Sequence, residues 1–161
     1  MKTLIVDGYN LAHRLYGNMD LEEMRETLLE MISLYGSRKR RRVTVVFDGS
    51  SMAPTGKESR KWVSVLYSRP PEKADDLIAR LASERGEGAV IVTSDRGLAA
   101  RVEQKGAHVV TCEEYARILD RCFYEEMKGE EEERERKREK KGPSRRPPRK
   151  ERMKKKILDW L

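Results

Sequence analysis

Short carboxylic acids recur at one type of position in this sequence, directly after predicted β-strands. The chain has eight aspartates, and five of them lie at the carboxyl end of a predicted strand or in the first turn of the next helix: Asp7, Asp48, Asp75, Asp76 and Asp95. In a parallel sheet, all such positions meet at one edge. Mg²⁺ and Mn²⁺ bind through oxygen ligands in a near-octahedral shell, so the pattern predicts a site for a divalent cation at this edge.

Each of these aspartates also has a simpler explanation when it is taken singly. Asp75 and Asp76 would complement the positive end of a helix. Turn residues that bind nearby backbone amides are the alternative for Asp7, Asp48 and Asp95. These explanations do not account for convergence, because carboxylates a few ångströms apart repel each other and raise each other's pKa. We therefore favour a metal site over a set of unrelated turn residues.

Asn10 follows Asp7 by three residues, and its amide either orients the group that Asp7 binds or satisfies backbone groups in the turn. Other chemistries fit the sequence less well. An aspartyl-phosphate phosphatase would need a second aspartate where the chain has Tyr9, and no glycine-rich phosphate loop follows the first strand. His13 and His108 are not spaced as metal ligands.

The elements that must position these side chains alternate between strand and helix. Short β-branched and aliphatic runs predict five strands, at residues 3–6, 43–47, 62–67, 89–93 and 108–110. Helical spacing of apolar residues predicts helices at 20–36, 74–86, 95–106 and 111–123, and a polar loop is expected at 50–61. This alternation predicts an α/β fold of three layers, α/β/α, around a mainly parallel five-stranded sheet.

The charge of the chain is distributed unevenly. Of 161 residues, 39% are charged, and the formal net charge is +7. Residues 129–156 hold 14 basic and 7 acidic residues, so this segment carries the whole excess. We expect a domain at 1–126 and a basic extension at 127–161 that ends in a short helix. The extension suggests a polyanionic partner, with RNA as the first candidate, or else a solvated charge run.

The compartment is inferred from what the sequence lacks. No segment has the length of an apolar membrane span, and no secretory leader opens the chain. Cys112 and Cys122 lack the spacing of a metal knuckle, and we interpret them as reduced structural thiols. We therefore expect a cytoplasmic protein with no membrane partner.

Four motifs, in this order, resemble the NYN branch of the PIN-like nucleases and most closely its YacP-type bacterial members. They are DGYN after the first strand, VVFDG at the second, KADDLIARL at the start of a helix and TSDRGL after the fourth. The resemblance covers about residues 2–122. It implies a metal-dependent endoribonuclease that uses Mg²⁺ or Mn²⁺ and no organic cofactor, and some relatives are thought to act on mRNA at the ribosome.

The resemblance also assigns roles to residues of this chain. Three acids would bind the metal and four residues would support catalysis; these are Asp7, Asp75 and Asp95, and then Asn10, Ser94, Asp48 and Asp76. YacP relatives often carry a further acid where this chain has Ala79. That departure leaves open a non-catalytic RNA- or ribosome-binding module with a degenerate acidic site. DNA is a further alternative substrate for the same site.

Basic residues on the same edge would bind the RNA backbone. The candidates lie in loops predicted to surround the acids: Lys57, Arg60, Lys61, Arg69, Lys73 and Arg96. Residues 38–42 form a second basic cluster, between a helix and a strand, and therefore at the opposite edge of the sheet. These residues would either engage a larger RNA surface or lie solvated.

Overall fold

The computed structural model of the protein describes residues 1–49, 56–128 and 148–161. Within these residues the chain forms six strands, six α-helices and a 3-10 turn (Gly86–Gly88). The strands are β1 (Thr3–Asp7), β2 (Val43–Phe47), β3 (Gly56–Arg60), β4 (Val63–Tyr67), β5 (Ala89–Val92) and β6 (His108–Val110). The helices are α1 (Gly8–Tyr16), α2 (Leu21–Lys39), α3 (Ala74–Arg85), α4 (Arg96–Gln104), α5 (Cys112–Lys128) and α6 (Arg149–Trp160).

The sheet has the strand order β3-β4-β2-β1-β5-β6, and all of its neighbouring pairs except β3–β4 are parallel. β1 lies between β2 and β5, and its residues Leu4, Ile5 and Val6 are almost completely buried. A strand that is covered on both faces needs an uninterrupted apolar run, which is what the sequence supplies here. The parallel arrangement brings the carboxyl ends of β1, β2, β4 and β5 to one edge, which we call the carboxyl edge.

Helices cover both faces of the sheet, which confirms the predicted α/β class. Leu4 and Val6 pack in the same cluster as residues of α1, α2 and α5, whereas Ile5 packs with Ile78 of α3 and residues of α4. Successive strand residues face opposite layers because side chains alternate along a strand.

The sheet has six strands, so the prediction of five was one short. β3 lies within the segment that we expected to be a polar loop, and it pairs with β4 in an antiparallel hairpin. Its sequence, GKESR, has no apolar alternation because β3 is an edge strand with little core contact. Trp62, with φ of 70°, lies in the tight connection between the two strands.

Two helix boundaries also differ from the sequence-based expectation. α1 begins directly after β1 and was not predicted, because no side-chain N-cap marks its start. α2 continues past Gly36 to Lys39. Gly36 is buried within the helix, where an added Cβ would lie 2.7 Å from the Cβ of Trp62 and 2.9 Å from the Arg41 carbonyl oxygen. It is therefore a close-packing glycine rather than a helix terminator.

The C-terminal helix α6 is docked on the body of the domain. A helix this short is not stable in isolation, so it needs such a contact to remain folded. Ile157 and Leu161 are buried in the cluster that contains α2 and α5 side chains. The Tyr35 hydroxyl donates a hydrogen bond to the Leu161 carbonyl oxygen at 2.8 Å, and Lys154 donates to the Val109 carbonyl oxygen at 2.7 Å. The end of the chain is thus part of the core. The division at residue 127 stays a prediction, and 129–147 lie outside the described residues.

Within the described ranges, none of the helices combines the length and the apolar character that crossing a lipid bilayer would require. Cys112 and Cys122 are both free thiols and both buried, and burial raises the pKa of each.

Replacing Ile157 by alanine is expected to lower the free energy of unfolding of the whole domain by about 2–4 kcal/mol, because it leaves a cavity where α6 meets the core. Urea denaturation would measure the loss, with the exposed Lys156→Ala as a matched control on the same helix. A change below about 0.5 kcal/mol for Ile157→Ala would show that α6 is not docked in solution.

Candidate active site

Asp7 is a buried carboxylate at the carboxyl end of the central strand. It occupies the N-cap position of α1, but its side chain makes no capping hydrogen bond. Its Oδ2 instead accepts a hydrogen bond from the Thr93 hydroxyl at 3.0 Å, and the residue is only 7% exposed. Asp7 is therefore not a turn residue that satisfies backbone amides.

The pKa of Asp7 is raised to about 6, chiefly because burial penalises the charged form. The hydrogen bond from Thr93 lowers the pKa, while the nearby charges of Asp75, Asp95 and Asp48 raise it further. These interactions show that four of the predicted acids share one electrostatic neighbourhood at the carboxyl edge.

Asp75 lies in the first turn of α3 and is half-buried. Burial is the largest cause of its raised pKa, and the charges of Asp95 and Asp48 raise the pKa further, whereas Arg101 lowers it. The helix begins at this place because Asp48, directly after β2, accepts a hydrogen bond from the backbone N–H of Ala74 at 2.6 Å. Asp48 thus positions Asp75 through the start of α3.

Asp95 is both a member of this acidic group and the cap of a helix. Its Oδ1 accepts a hydrogen bond from the Leu98 backbone N–H at 3.0 Å and caps α4. The Thr93 hydroxyl accepts a hydrogen bond from the Asp95 N–H at 3.1 Å while donating to Asp7. Thr93 therefore links the two acids directly. It stands beside Ser94 in the TSDRGL motif, but only the strand pairing reveals its role.

Asp76 is turned away from this group. Its two oxygens accept hydrogen bonds from the Lys73 backbone N–H at 3.1 Å and from Arg101 at 3.2 Å, and both bonds lower its pKa. Ala79 lines a surface cavity together with Asp76 and Arg101. With both oxygens engaged, Asp76 is a weak candidate to replace the acid that is missing at Ala79.

Asn10 and Ser94 join three elements behind the acids. The Asn10 Oδ1 accepts hydrogen bonds from the Ser94 backbone N–H at 2.7 Å and from the Cys112 thiol at 3.0 Å. The Ser94 hydroxyl donates to Glu113 at 3.0 Å and accepts from the Cys112 N–H at 2.9 Å. Both residues hold the loop after β5 against α1 and α5, which is a positioning role. Glu113, which also pairs with Arg14, was not anticipated from the sequence.

The predicted basic residues divide between the two edges. Arg69, Lys73 and Arg96 are exposed on the segments that leave β4, precede α3 and begin α4, and they form no ion pair among the described residues. They lie on the carboxyl edge, as expected.

Arg60 and Lys61 lie at the other edge, which corrects the prediction for both. Because β3 runs antiparallel to β4, Arg60 is paired with Val63 at the amino-terminal end of β4. Arg60 also forms ion pairs with Glu26 and Glu58, which raise its pKa. Lys57 lies in β3 rather than in a loop, and its backbone pairs with Leu66, nearer the carboxyl edge.

The carboxylate oxygens at the carboxyl edge are the ligand type that a divalent cation prefers, although they do not by themselves surround one position. In the described part of the chain, no group of three or more Asp, Glu, His or Cys side chains is close enough together to hold a metal ion. Mg²⁺ usually keeps several waters and takes only one or two protein carboxylates. A buried, uncompensated Asp7 that is repelled by three other acids is the observation that fits a cation.

Comparison with known proteins agrees with the motifs. The sequence matches the family model described as the YacP-like NYN domain over residues 4–161. It is 33% identical over 104 residues to the uncharacterized protein YacP of Bacillus subtilis (strain 168), covering 59% of this chain and 61% of that protein. It is 29% identical over 128 residues to flap endonuclease Xni of Shewanella sp. (strain ANA-3), covering 60% of this chain and 49% of that protein. The chain therefore spans only about half to three fifths of these curated relatives.

Two crystal structures of Rae1 (YacP) from Bacillus subtilis, one of them of a mutant, have the same fold. The mutant structure gives a TM-score of 0.65 at 27% identity, covering 77% of this chain and 78% of that chain. The other gives a TM-score of 0.64 at 29% identity, covering 85% and 81%. These matches confirm the PIN-like fold and the family resemblance stated from the four motifs.

Replacing Asp7 by asparagine is expected to stabilise the metal-free protein at pH 8 by about 1–3 kcal/mol. Since the pKa of Asp7 rises from 3.8 to about 6 on folding, the folded protein holds this proton more tightly than the unfolded chain does. The cost of the charged carboxylate is therefore complete above pH 6 and is lost as the pH falls toward 4. Urea denaturation in EDTA, from pH 4 to 8, would measure the difference.

The matched control is Asp120→Asn, an exposed aspartate of α5 that should leave stability unchanged at every pH. Added Mn²⁺ should stabilise the wild type more than Asp7→Asn, because only the wild type keeps the buried negative charge. An Asp7→Asn variant that is no more stable than the wild type at pH 8 would contradict the account of Asp7.

Proposed function

Since the chain belongs to the family of YacP-like NYN domains, we propose that it is a nuclease, and specifically a metal-dependent endoribonuclease that hydrolyses phosphodiester bonds in RNA. The observation that carries this proposal is the buried, uncompensated carboxylate of Asp7, beside Asp75, Asp95 and Asp48 at the carboxyl edge. A bound cation would offset the repulsion among these acids and would allow a negatively charged substrate to approach them.

Asp7, Asp75 and Asp95 are the candidate ligands of Mg²⁺ or Mn²⁺; one or two of them would bind the ion directly, and the others would act through its bound waters. When bound, such an ion supplies an activated water and stabilises charge on the phosphate. The chain's own contribution is positioning. Thr93 links Asp7 to Asp95 by hydrogen bonds. Asp48 fixes the start of α3 and hence the position of Asp75. Asn10 binds the backbone of Ser94 and so secures the loop after β5.

Three unpaired cations on the same edge would bind the substrate backbone. Arg69, Lys73 and Arg96 are exposed there, and none of them forms an ion pair with a described residue. Contacts of this type bind phosphates of any sequence and set the register of the strand. They would bring a scissile phosphate to the acids without selecting a base.

The partner that we propose is single-stranded RNA, including mRNA on the ribosome in the cytoplasm. The basic segment 129–156 supports a polyanionic partner, since its excess of positive charge attracts any nucleic acid backbone. Lys154 of this segment is already paired with Glu114, so it is not counted among the cations that are open to RNA.

A non-catalytic RNA-binding module is the second candidate. It is favoured by Ala79 and by the lack, among the described residues, of three acids close enough to hold a metal ion. Cleavage of DNA is a further alternative, because one relative of the chain bears the name flap endonuclease.

Cleavage of a mixed RNA pool, with and without Mg²⁺ or Mn²⁺, is the experiment that tests the proposal. We expect cleavage only with the divalent ion, and a loss of about 10³-fold or more in Asp7→Asn because the ion then lacks its buried ligand. Asp120→Asn, which changes an exposed acid of α5, should cleave like the wild type.

The alternatives give different outcomes in the same assay. Tight RNA binding that is unchanged by EDTA and by Asp7→Asn, with no cleavage, would identify the binding module instead. A matched DNA oligonucleotide that is cut in preference to RNA would identify a deoxyribonuclease.

A further inference from the structure

A basic groove of about 880 Å³ lies at the edge of the sheet opposite the acids. It is bounded by the start of β1, the connection from α2 to β2 and the end of α3. Six cations and a single acid, Glu84, line it; the cations are Lys2, Lys39, Arg40, Arg41, Arg42 and Arg85. Trp160 of α6 and apolar residues of the sheet complete the wall.

Two of these guanidinium groups are held in place by neutral partners. Arg41 lies 3.8 Å from the centre of the Trp160 ring and donates a hydrogen bond to the Trp160 carbonyl oxygen. Arg42 donates to the hydroxyls of Ser59 at 2.9 Å and Ser64 at 3.0 Å. Their orientation is therefore fixed before any ligand binds, while their positive charge is not neutralised by a carboxylate.

Five arginines elsewhere in the described residues are paired with acids, including Arg38, which is next to the groove in sequence. These pairs are Arg14–Glu113, Arg38–Glu126, Arg60–Glu26, Arg80–Glu72 and Arg101–Asp76. In the basic groove, by contrast, Lys2, Lys39, Arg40 and Arg85 form no ion pair with any described residue. The groove thus concentrates uncompensated positive charge.

We propose that the basic groove binds the phosphate backbone of RNA. It would be a second contact, at the edge of the sheet opposite the acids. The identity of the polyanion rests on the proposed function. The cations come from three separated segments of the chain, and the volume of about 880 Å³ accommodates more than one phosphate group. This arrangement suits a chain of phosphates.

The location of the groove makes a long RNA necessary for both contacts. The central strands β1, β2 and β4 each have five residues, so the two edges lie roughly 15 Å apart. A strand cleaved at the carboxyl edge must continue around the domain to reach the groove. The groove should therefore strengthen the binding of a long RNA. It should not affect the cleavage of a trinucleotide, which is too short to reach both edges.

Binding of a labelled single-stranded RNA of about 40 nucleotides, well above the ~4–16 nucleotides that one small binding module contacts, tests the proposal. The fluorescence anisotropy of the RNA would be measured in EDTA at several salt concentrations. The groove variant, which combines Arg40→Asn and Arg85→Gln, would be compared with the wild type. We expect the double variant to bind about tenfold more weakly at low salt. The salt slope, which is the slope of log K against log salt concentration, should be less steep by about 1.4, since each lost single-strand contact removes about 0.7. Asparagine suits position 40, where φ is 50°.

Two further variants separate charge from structure. Arg117→Gln/Arg121→Gln removes two exposed arginines from α5 and should keep the wild-type salt slope. Arg40→Lys/Arg85→Lys should restore the slope because it restores the charge. In cleavage assays with Mn²⁺, the groove variant should raise KM for the long RNA with kcat unchanged, and should leave trinucleotide cleavage unaltered.

A groove variant that binds long RNA with the wild-type slope would overturn this inference while leaving the proposed nuclease activity intact. A wild type that fails to cleave RNA with divalent ions would instead overturn the proposed function. An equal loss of binding in the α5 control would show that the effect is one of total charge, and would also overturn the inference.

Discussion

The negative charge of Asp7, held at the end of a strand that is buried on both sides, is the constraint on which the site depends. Three apolar residues in front of it place β1 at the centre of the sheet, and the parallel neighbours β2 and β5 then end beside it. Burial makes the charged form costly, and the other acids add repulsion. The apolar residues buried on both faces of the sheet provide the stability that offsets this cost.

The acids at the edge also serve as structural caps. Asp48 fixes the start of α3 and Asp95 fixes the start of α4, while Thr93 bridges Asp95 to Asp7. The helices therefore begin at the points where their first turns present side chains to the site. One set of hydrogen bonds determines both the geometry of the layers and the spacing of the charges.

The sequence was sufficient to predict the α/β class, the central strand and the shared edge of four acids, because each depends on local patterns combined with the rules of parallel sheets. β3 was missed since an edge strand with polar residues carries no apolar signal. That single omission moved Arg60 and Lys61 to the wrong edge, because a hairpin reverses the direction of the chain. The roles of Thr93 and Cys112 depend on which segments meet in space, and Asp76 could not be told from Asp75 without knowing that Arg101 lies beside it.

The docking of α6 also fixes a cation that lies far from it in sequence. α6 packs against the same core as α5, and hydrogen bonds from Tyr35 and Lys154 secure its position. Trp160 of this helix in turn contacts the guanidinium group of Arg41 through its ring and its carbonyl oxygen. The orientation of Arg41 is consequently set only when the last helix of the chain has packed onto the domain.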